Sequence, residues 1–264
     1  MNKKVLVTGA NGQLGQTIKE INDSGILDID FTFVTKADLS ITNPKDLLQY
    51  FSTNTFDYCI NCAAYTNVEQ AEKTPEEAYN INSDGVKLLS EYCKTYNVIL
   101  IHISTDYVFN GEKQAPYLTT DCTNPINEYG KSKLLGEKNI QENLEKYFII
   151  RTSWLYSKKY GNNFYKTILS KSETEKELYI TTKQVGCPTD TVNLTNYILN
   201  LIQNDYQGYG ILHFCDLDVM SWYDFAIRIL EENNKSQQTQ IIKSNKYKTL
   251  ARRPKYSVLK ISDL

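Results

Sequence analysis

Lys4-Val5-Leu6-Val7-Thr8-Gly9-Ala10-Asn11-Gly12-Gln13-Leu14-Gly15 decides the fold. A short β-branched run leads into three glycines, and apolar residues then recur at Leu14, Ile18 and Ile21, the spacing of one helix face. Strand, glycine turn and helix in that order make a dinucleotide-binding unit. Gly9 permits the tight turn, Gly12 lets the backbone approach a pyrophosphate, and Gly15 lets helix and strand pack closely. The diphosphate would sit on the free N–H groups and positive dipole end of the helix. The spacing is G-x-x-G-x-x-G rather than the commoner G-x-G-x-x-G.

Working outward, strands and helices alternate. Phe31 to Val34 reads as a second strand. Pro44 to Phe51 is a helix capped by Asn43, with proline at its favoured first position. Asp57 to Asn61 is a third strand, and a long helix is expected from Pro75 to Tyr96 with Thr74 as its cap. Val98 to Ile103 is the most apolar strand, as the centre of a parallel sheet requires. A helix over 130–144 and a strand at Tyr147 to Ile150 complete the pattern. This alternation predicts an α/β fold: a Rossmann-type doubly wound parallel sheet over residues 1–155. Beyond it the regularity weakens, with helices expected at Gly161 to Leu169, Thr191 to Ile202 and Trp222 to Glu232. Residues 156–264 are therefore expected to form a small C-terminal α/β substrate-binding cap, with part of 178–204 returning to the sheet.

The 264 residues carry 29 basic and 31 acidic side chains, a net charge of −2, and 41% are hydrophobic. That composition excludes a disordered chain and gives no electrostatic footprint for nucleic acid. No apolar run approaches the roughly 20 residues of a membrane helix. The start, Met1-Asn2-Lys3-Lys4, is charged, but Thr8-Gly9 ends the following apolar run too soon for a signal peptide. A cytoplasmic protein is expected. Six cysteines without a regular framework fit a reducing compartment. Cys59 and Cys62 form C-x-x-C, yet within a strand they would face opposite sides, and no second pair follows. No metal site is expected. The 20 tyrosines, beside abundant Lys and Asn, reflect genome composition rather than a binding stripe.

NAD selection usually rests on an acid at the end of the second strand, gripping the ribose 2′-OH. Here that stretch is Val34-Thr35-Lys36-Ala37-Asp38. Lys36 offers a cation to a 2′-phosphate, so NADPH is expected over NADH, with Asp38 reaching the adenosine half.

Tyr129 and Lys133 stand four apart on one helix face, where an ammonium lowers the phenol's pKa and fits it for acid–base work. Tyr179/Lys183 and Tyr256/Lys260 share the spacing. Only the first pair accompanies Ser104-Thr105 at the carboxyl end of the central strand, where a hydroxyl can hydrogen-bond a carbonyl oxygen as it gains charge.

These blocks resemble the extended short-chain dehydrogenase/reductase family. The likeness runs through Val5 to Gly9, Asn61-Cys62-Ala63-Ala64-Tyr65-Thr66, Ser104-Thr105-Asp106-Tyr107-Val108-Phe109 and Tyr129-Gly130-Lys131-Ser132-Lys133 with Gly136-Glu137. Within the family the chain is most similar to reductases of nucleotide sugars, through Val68 to Glu72, Arg151 to Tyr156, Gly161 to Phe164, Gln184 to Thr189 and Arg253-Pro254. The resemblance implies hydride transfer to the C4 ketone of a nucleotide-linked 4-keto-6-deoxyhexose. Tyr129 would supply the proton, Lys133 would hold the nicotinamide ribose, and Thr105 would orient the ketone. It implies cofactor contacts at Gly9, Asn11, Gly12, Gln13, Leu14, Gly15, Asp38, Leu39, Ala63, Ala64 and Tyr65, and places Val68, Asp106, Tyr107 and Trp154 near the sugar.

Dehydratases of this fold resemble Thr-Asp-Glu at the strand end, the acids serving elimination. Here Tyr107 follows Thr105-Asp106, which disfavours a dehydratase. A non-catalytic regulatory subunit, like the partner of methionine adenosyltransferase that shares this fold, would lose the tyrosine that this chain keeps. Some relatives join through an acidic metal cluster. Gln16 stands where its acid would be, and an exposed helix pair in the first unit leaves a homodimer as the expected assembly. The chain is short for these reductases, and Lys183 and Tyr256 depart from residues common in them.

Overall fold

The computed structural model describes residues 2–25, 28–244, 246 and 248–264. Its first unit comprises β1 (Lys3–Thr8), α1 (Gln13–Asp23), β2 (Ile29–Phe33), α2 (Pro44–Thr53), β3 (Tyr58–Asn61), α3 (Val68–Ala71), α4 (Pro75–Tyr79), α5 (Gly85–Thr95), β4 (Ile99–Thr105), α6 (Glu128–Asn143) and β5 (Tyr147–Thr152). There follow β6 (Leu155–Tyr156), α7 (Phe164–Ser172), β7 (Glu177–Ile180), β8 (Val185–Gly186), β9 (Thr189–Asp190), α8 (Thr191–Gln203), β10 (Gly210–His213), β11 (Met220–Ser221), α9 (Trp222–Glu232) and β12 (Gln240–Lys243).

Alternation along the central strands divides the core into two layers. Val5, Val7, Ile60 and Ile101 face Leu14 and Ile18 of α1 and the apolar stripe of α8, Leu194, Ile198 and Ile202. Leu6, Cys59 and Leu100 face the other way, onto Leu47 and Phe51 of α2, Val86 and Leu89 of α5, and Ile140 of α6. Such two-sided burial suits a parallel sheet with helices on both faces. Cys59 lies against Cys93 in the second layer while Cys62 packs on the first, so the C-x-x-C pair indeed faces opposite sides.

Six parallel strands run in the order β10-β5-β4-β3-β1-β2. Chain order reverses between β1 and β3, and the crevice beyond their carboxyl ends is where an open α/β sheet binds its ligand. The two loops touch there: a Cβ on Gly9, which has φ 65°, would lie 2.6 Å from the Ala63 nitrogen. The strand that returns to the sheet is β10, beyond the expected 178–204; from that range helix α8 covers the sheet instead. The rest of the C-terminal part packs α7 and α9 around Ile168, Phe225 and Ile229, with β7 and β12 paired in parallel at its edge.

Two local features differ from the sequence expectation. Thr74 makes no side-chain cap to α4; its hydroxyl donates to the Gln70 carbonyl instead. The long helix is interrupted by a π turn at Asn80–Asp84. That turn directs the buried Asn82 at the loop after β3, where its amide bonds both the N–H and the carbonyl of Tyr65.

Candidate active site

The first turn of α1 starts at Gly12 with no side chain capping it, so its leading N–H groups are open to an anion. Gly15 is equally constrained: a Cβ there would sit 2.7 Å from Ala10 Cα and 2.8 Å from the Gly9 carbonyl. Glycine is thus required for the loop to lie flat on its own backbone, and the uncapped donors above it fit a dinucleotide diphosphate. Asn11 and Gly12 are exposed at this rim, while Leu14 and Gly15 are buried beneath it. Gln13 turns its side chain away, donating to the Leu155 carbonyl at 3.0 Å and accepting from Asn163 at 3.0 Å. The glycine loop is thereby tied to the C-terminal part.

At the end of β2, Lys36 and Ala37 are exposed and Leu39 is buried. Asp38 folds back on its own turn, accepting from the Thr35 N–H at 2.8 Å and the Thr35 hydroxyl at 2.7 Å. These bonds hold its carboxyl below the ordinary range and commit it to the turn, whereas Lys36 stays available. On the other rim, Ala63 and Tyr65 are half-buried and Ala64 is exposed.

Beside this loop a cleft of about 350 Å³ is lined by Thr105, Asp106, Tyr107, Tyr129, Lys133 and Trp154, with Val68 at its edge. A larger hollow of about 870 Å³ lies by α8 and α9 and contains none of these groups. Asn127 accepts from the Gly130 N–H at 2.7 Å and so starts α6 where Tyr129 enters its first turn. Tyr129, Lys133 and Glu137 then follow at successive turns of one face. Gly130 packs where a Cβ would lie 2.3 Å from the Tyr107 carbonyl, which brings α6 close to the end of β4.

The two hydroxyls ending β4 part company. Ser104 donates into the buried Glu137 carboxylate at 2.5 Å, and Arg151 grips that same carboxylate through Nε at 3.0 Å and Nη2 at 2.7 Å. Ser104 therefore belongs to the wall, and Thr105 is the hydroxyl left at the cleft. Thr105 donates to Asp106 Oδ1 at 3.0 Å, accepts from the Tyr107 N–H at 3.1 Å, and is hydrogen-bonded with Tyr129. Asp106 also accepts from Ser153 at 3.1 Å and from Ser257. Burial pushes its carboxyl up to about 6, against those hydrogen bonds. Its oxygens are engaged within the wall, so what Asp106 fixes most directly is Thr105.

The expected lowering of the Tyr129 pKa is not what the geometry gives. Burial pushes the phenol up to about 12, the Thr105 hydroxyl offsets part of this, and the Asp106 charge adds to the rise. Lys133 is turned toward β4: its Nζ donates to the Ile103 carbonyl at 2.7 Å and meets His102 Nε2 at 3.2 Å. Burial brings Lys133 itself down to about 8, and its Nζ is spent on the β4 carbonyl rather than on the phenol. A phenol that keeps its proton at neutral pH is matched to donating it.

The cap side is aromatic. Trp154, held at φ 47°, stacks on Trp222 with centroids 3.5 Å apart and planes 6° from parallel, and Phe164 leans on Trp222 at 4.5 Å. A Cβ on Gly186 would strike the Trp154 ring at 2.6 Å, so glycine leaves the space that ring occupies. Trp222, Phe164 and Asn163 went unremarked as site residues in the sequence. Only the G-N-N-F run before α7 signalled two of them, and nothing local marked Trp222. The competing pairs lie elsewhere: Tyr179 is exposed and bonded to Glu177, and Lys260 lines the larger hollow.

The chain is similar to known proteins over nearly its whole length. The dTDP-4-dehydrorhamnose reductase of Aggregatibacter actinomycetemcomitans is 36% identical, over 99% of this chain and 92% of that protein. The spore coat polysaccharide biosynthesis protein SpsK of Bacillus subtilis is 37% identical, over 97% and 88%. A crystal structure of dTDP-4-dehydrorhamnose reductase from Bacillus anthracis in complex with NADP superposes with a TM-score of 0.94 at 36% identity, covering 99% of this chain and 92% of that one. UDP-glucose 4-epimerase from Thermus thermophilus, at 16% identity and a TM-score of 0.80, shares the fold alone. Residues 3–264 match the family model described as the RmlD substrate binding domain, and the chain belongs to that family.

Proposed function

We propose that the protein is an NADPH-dependent oxidoreductase that reduces the C4 ketone of a dTDP-linked 4-keto-6-deoxyhexose, as a dTDP-4-dehydrorhamnose reductase does, serving deoxysugar synthesis for a surface polysaccharide. One observation carries the reading: a protonated Tyr129 stands beside Thr105 in the cleft, and Tyr107, not a second carboxylate, follows Asp106. Elimination would need that second acid.

The uncapped N–H groups of α1 would hold the diphosphate of NADPH, Lys36 its 2′-phosphate, and the Ala63 to Tyr65 loop the nicotinamide half. When bound, NADPH supplies the hydride. The chain's own part is proton transfer and orientation. Tyr129 Oη gives its proton to the carbonyl oxygen as charge develops there, and Thr105 orients that oxygen. Asp106 holds Thr105 in place, while Lys133 steadies the nicotinamide ribose. Val68, Tyr107 and Trp154 bound the sugar, with Trp222 extending the aromatic wall. The division of labour, residues 1–155 for cofactor and 156–264 for substrate, belongs to the same proposal.

No helix among the described residues is long and apolar enough to cross a membrane, and the six cysteines are unpaired, which supports action in the cytoplasm. A homodimer through α5 and α6, which lie side by side with Leu135 40% exposed, is proposed likewise; sedimentation as a monomer would refute it.

The test supplies dTDP-4-keto-6-deoxy sugar, with and without a 3,5-epimerase, and follows NADPH and NADH absorbance in parallel. Keto-sugar-dependent oxidation with preference for NADPH is expected. No turnover with any keto sugar would remove the reading, and a strong NADH preference would remove the role of Lys36.

A further inference from the structure

Behind Lys133 runs a buried polar chain that the proton transfer described above does not use. Thr8 at the end of β1 donates to Asn61 Oδ1 at 2.7 Å. The Ala63 N–H also donates to that oxygen, at 3.2 Å. Asn61 Nδ2 then meets His102 Nδ1 at 3.0 Å, and His102 Nε2 meets Lys133 Nζ at 3.2 Å. Thr8, Asn61, His102 and Lys133 are each no more than 1% exposed, so no bulk solvent can relax the pattern.

Donor and acceptor roles along this chain are forced from one end. A backbone N–H can only donate, so the Asn61 atom facing Ala63 is its carbonyl oxygen and the atom facing His102 is its NH₂. An NH₂ can only donate, so His102 Nδ1 must carry the lone pair. A neutral imidazole then has its proton on Nε2, and that N–H points at Lys133 Nζ. An ammonium has no lone pair to receive it; an amine has one, and can still donate to the Ile103 carbonyl.

We propose that Asn61 fixes His102 as the Nε2–H tautomer, and that this N–H, aimed at Lys133 Nζ, favours the amine over the ammonium form of that lysine. Asn61 and His102 are positioning residues: they act through Lys133. A hydrogen bond to the neutral form of a base disfavours its charged form. Other groups facing Lys133 are Glu137, one turn along α6, which favours the ammonium, and the Cys62 thiol beyond β3, which burial keeps neutral; burial of Lys133 itself opposes the charge. Glu137 is already held by Arg151 and Ser104. Burial holds His102 well below the ordinary imidazole range, in keeping with a neutral ring. With the ammonium disfavoured, a proton on Lys133 is readily given up. The proposal deepens the reductase reading and rests on it for the reaction alone.

The chain has two histidines, and they supply an internal contrast. His213 Nδ1 faces the Tyr117 carbonyl at 3.1 Å, so it must carry its proton on Nδ1. Long-range ¹H–¹⁵N spectra of histidine-labelled protein, recorded without any ligand at neutral pH, should show one ring of each tautomer. Two Nδ1–H rings, or a charged His102, would overturn the proposal whether or not the protein reduces a keto sugar. Asn61→Asp offers His102 an acceptor instead of a donor, reverses its tautomer and turns a lone pair toward Lys133. The Lys133 titration, read from ¹³C-lysine spectra assigned with Lys133→Met, should rise by about one unit, a tenfold change in the ammonium-to-amine ratio. His102→Phe removes the N–H without adding charge and should shift it the same way, with the pH profile of turnover following. A Lys133 titration unmoved in both variants would contradict the proposal.

Discussion

The two walls of the cleft are built by different physics. On the sheet side, buried polar groups hold one another through bonds whose donors and acceptors leave no choice: Thr8 to Asn61, Asn61 to His102, Thr105 to Asp106. On the cap side, Trp154, Trp222 and Phe164 hold one another by stacking, with Trp222 Nε1 donating to Gln184 at 3.0 Å. A hydrogen-bonded array fixes atoms to fractions of an ångström and leaves a costly orphan when one member is lost. Stacked rings can slide and re-pack. Chemistry belongs on the first wall and choice of sugar on the second.

Substitutions across the two walls should separate along that line. The largest effect is expected from Tyr129→Phe, with turnover falling about 10³-fold while KM and NADPH affinity stay within a few-fold. Steady-state kinetics beside cofactor fluorescence would check it, and an equal loss in kcat and binding would blur the two walls. Next is Gly9→Ala. It forces a side chain into a left-handed conformation against the Ala63 backbone and should cost about 3 kcal/mol or more in urea unfolding.

A third expectation concerns β10, the strand that anchors the C-terminal part to the sheet. Burial, with the neighbouring Arg151 charge, holds His213 down to about 4. The unfolded chain protonates this ring near 6.5 and the folded chain only near 4, so its stabilising share is complete above 6.5 and is lost as pH falls toward 4. Between pH 7 and pH 5 the wild type should lose about 2 kcal/mol more stability than His213→Gln. Equal losses would remove His213 from the account. The smallest effect belongs to the aromatic wall: Trp222→Ala should raise the sugar KM about five- to tenfold with kcat little changed. A collapse of kcat instead would move Trp222 onto the chemical wall.

What the sequence disclosed divides in the same place. The glycine loop, the alternating strands and the Tyr129–Lys133 turn are local patterns, set by backbone sterics and helix period, and they were legible. Thr105 was legible as the end of the most apolar strand. The Trp154–Trp222 stack joins residues 68 positions apart, and nothing near either announces the other. The pairing of Asn61 with His102 depends on β3 lying beside β4 in register, which is a property of the sheet. The Tyr129 shift was misjudged because spacing along a helix says which face a lysine occupies, not where its Nζ turns. It turns to the Ile103 carbonyl and lies beside His102.

The central claim is that this cleft delivers hydride and proton across a ketone at C4. NADPH deuterated at the transferred position of its nicotinamide C4, incubated with the dTDP-4-keto-6-deoxy sugar, tests it by product NMR. The account predicts one deuterium at sugar C4, a new hydroxyl there and every other carbon unchanged. Deuterium at another carbon, loss of water from the sugar, or a changed configuration with no NADPH consumed would contradict it.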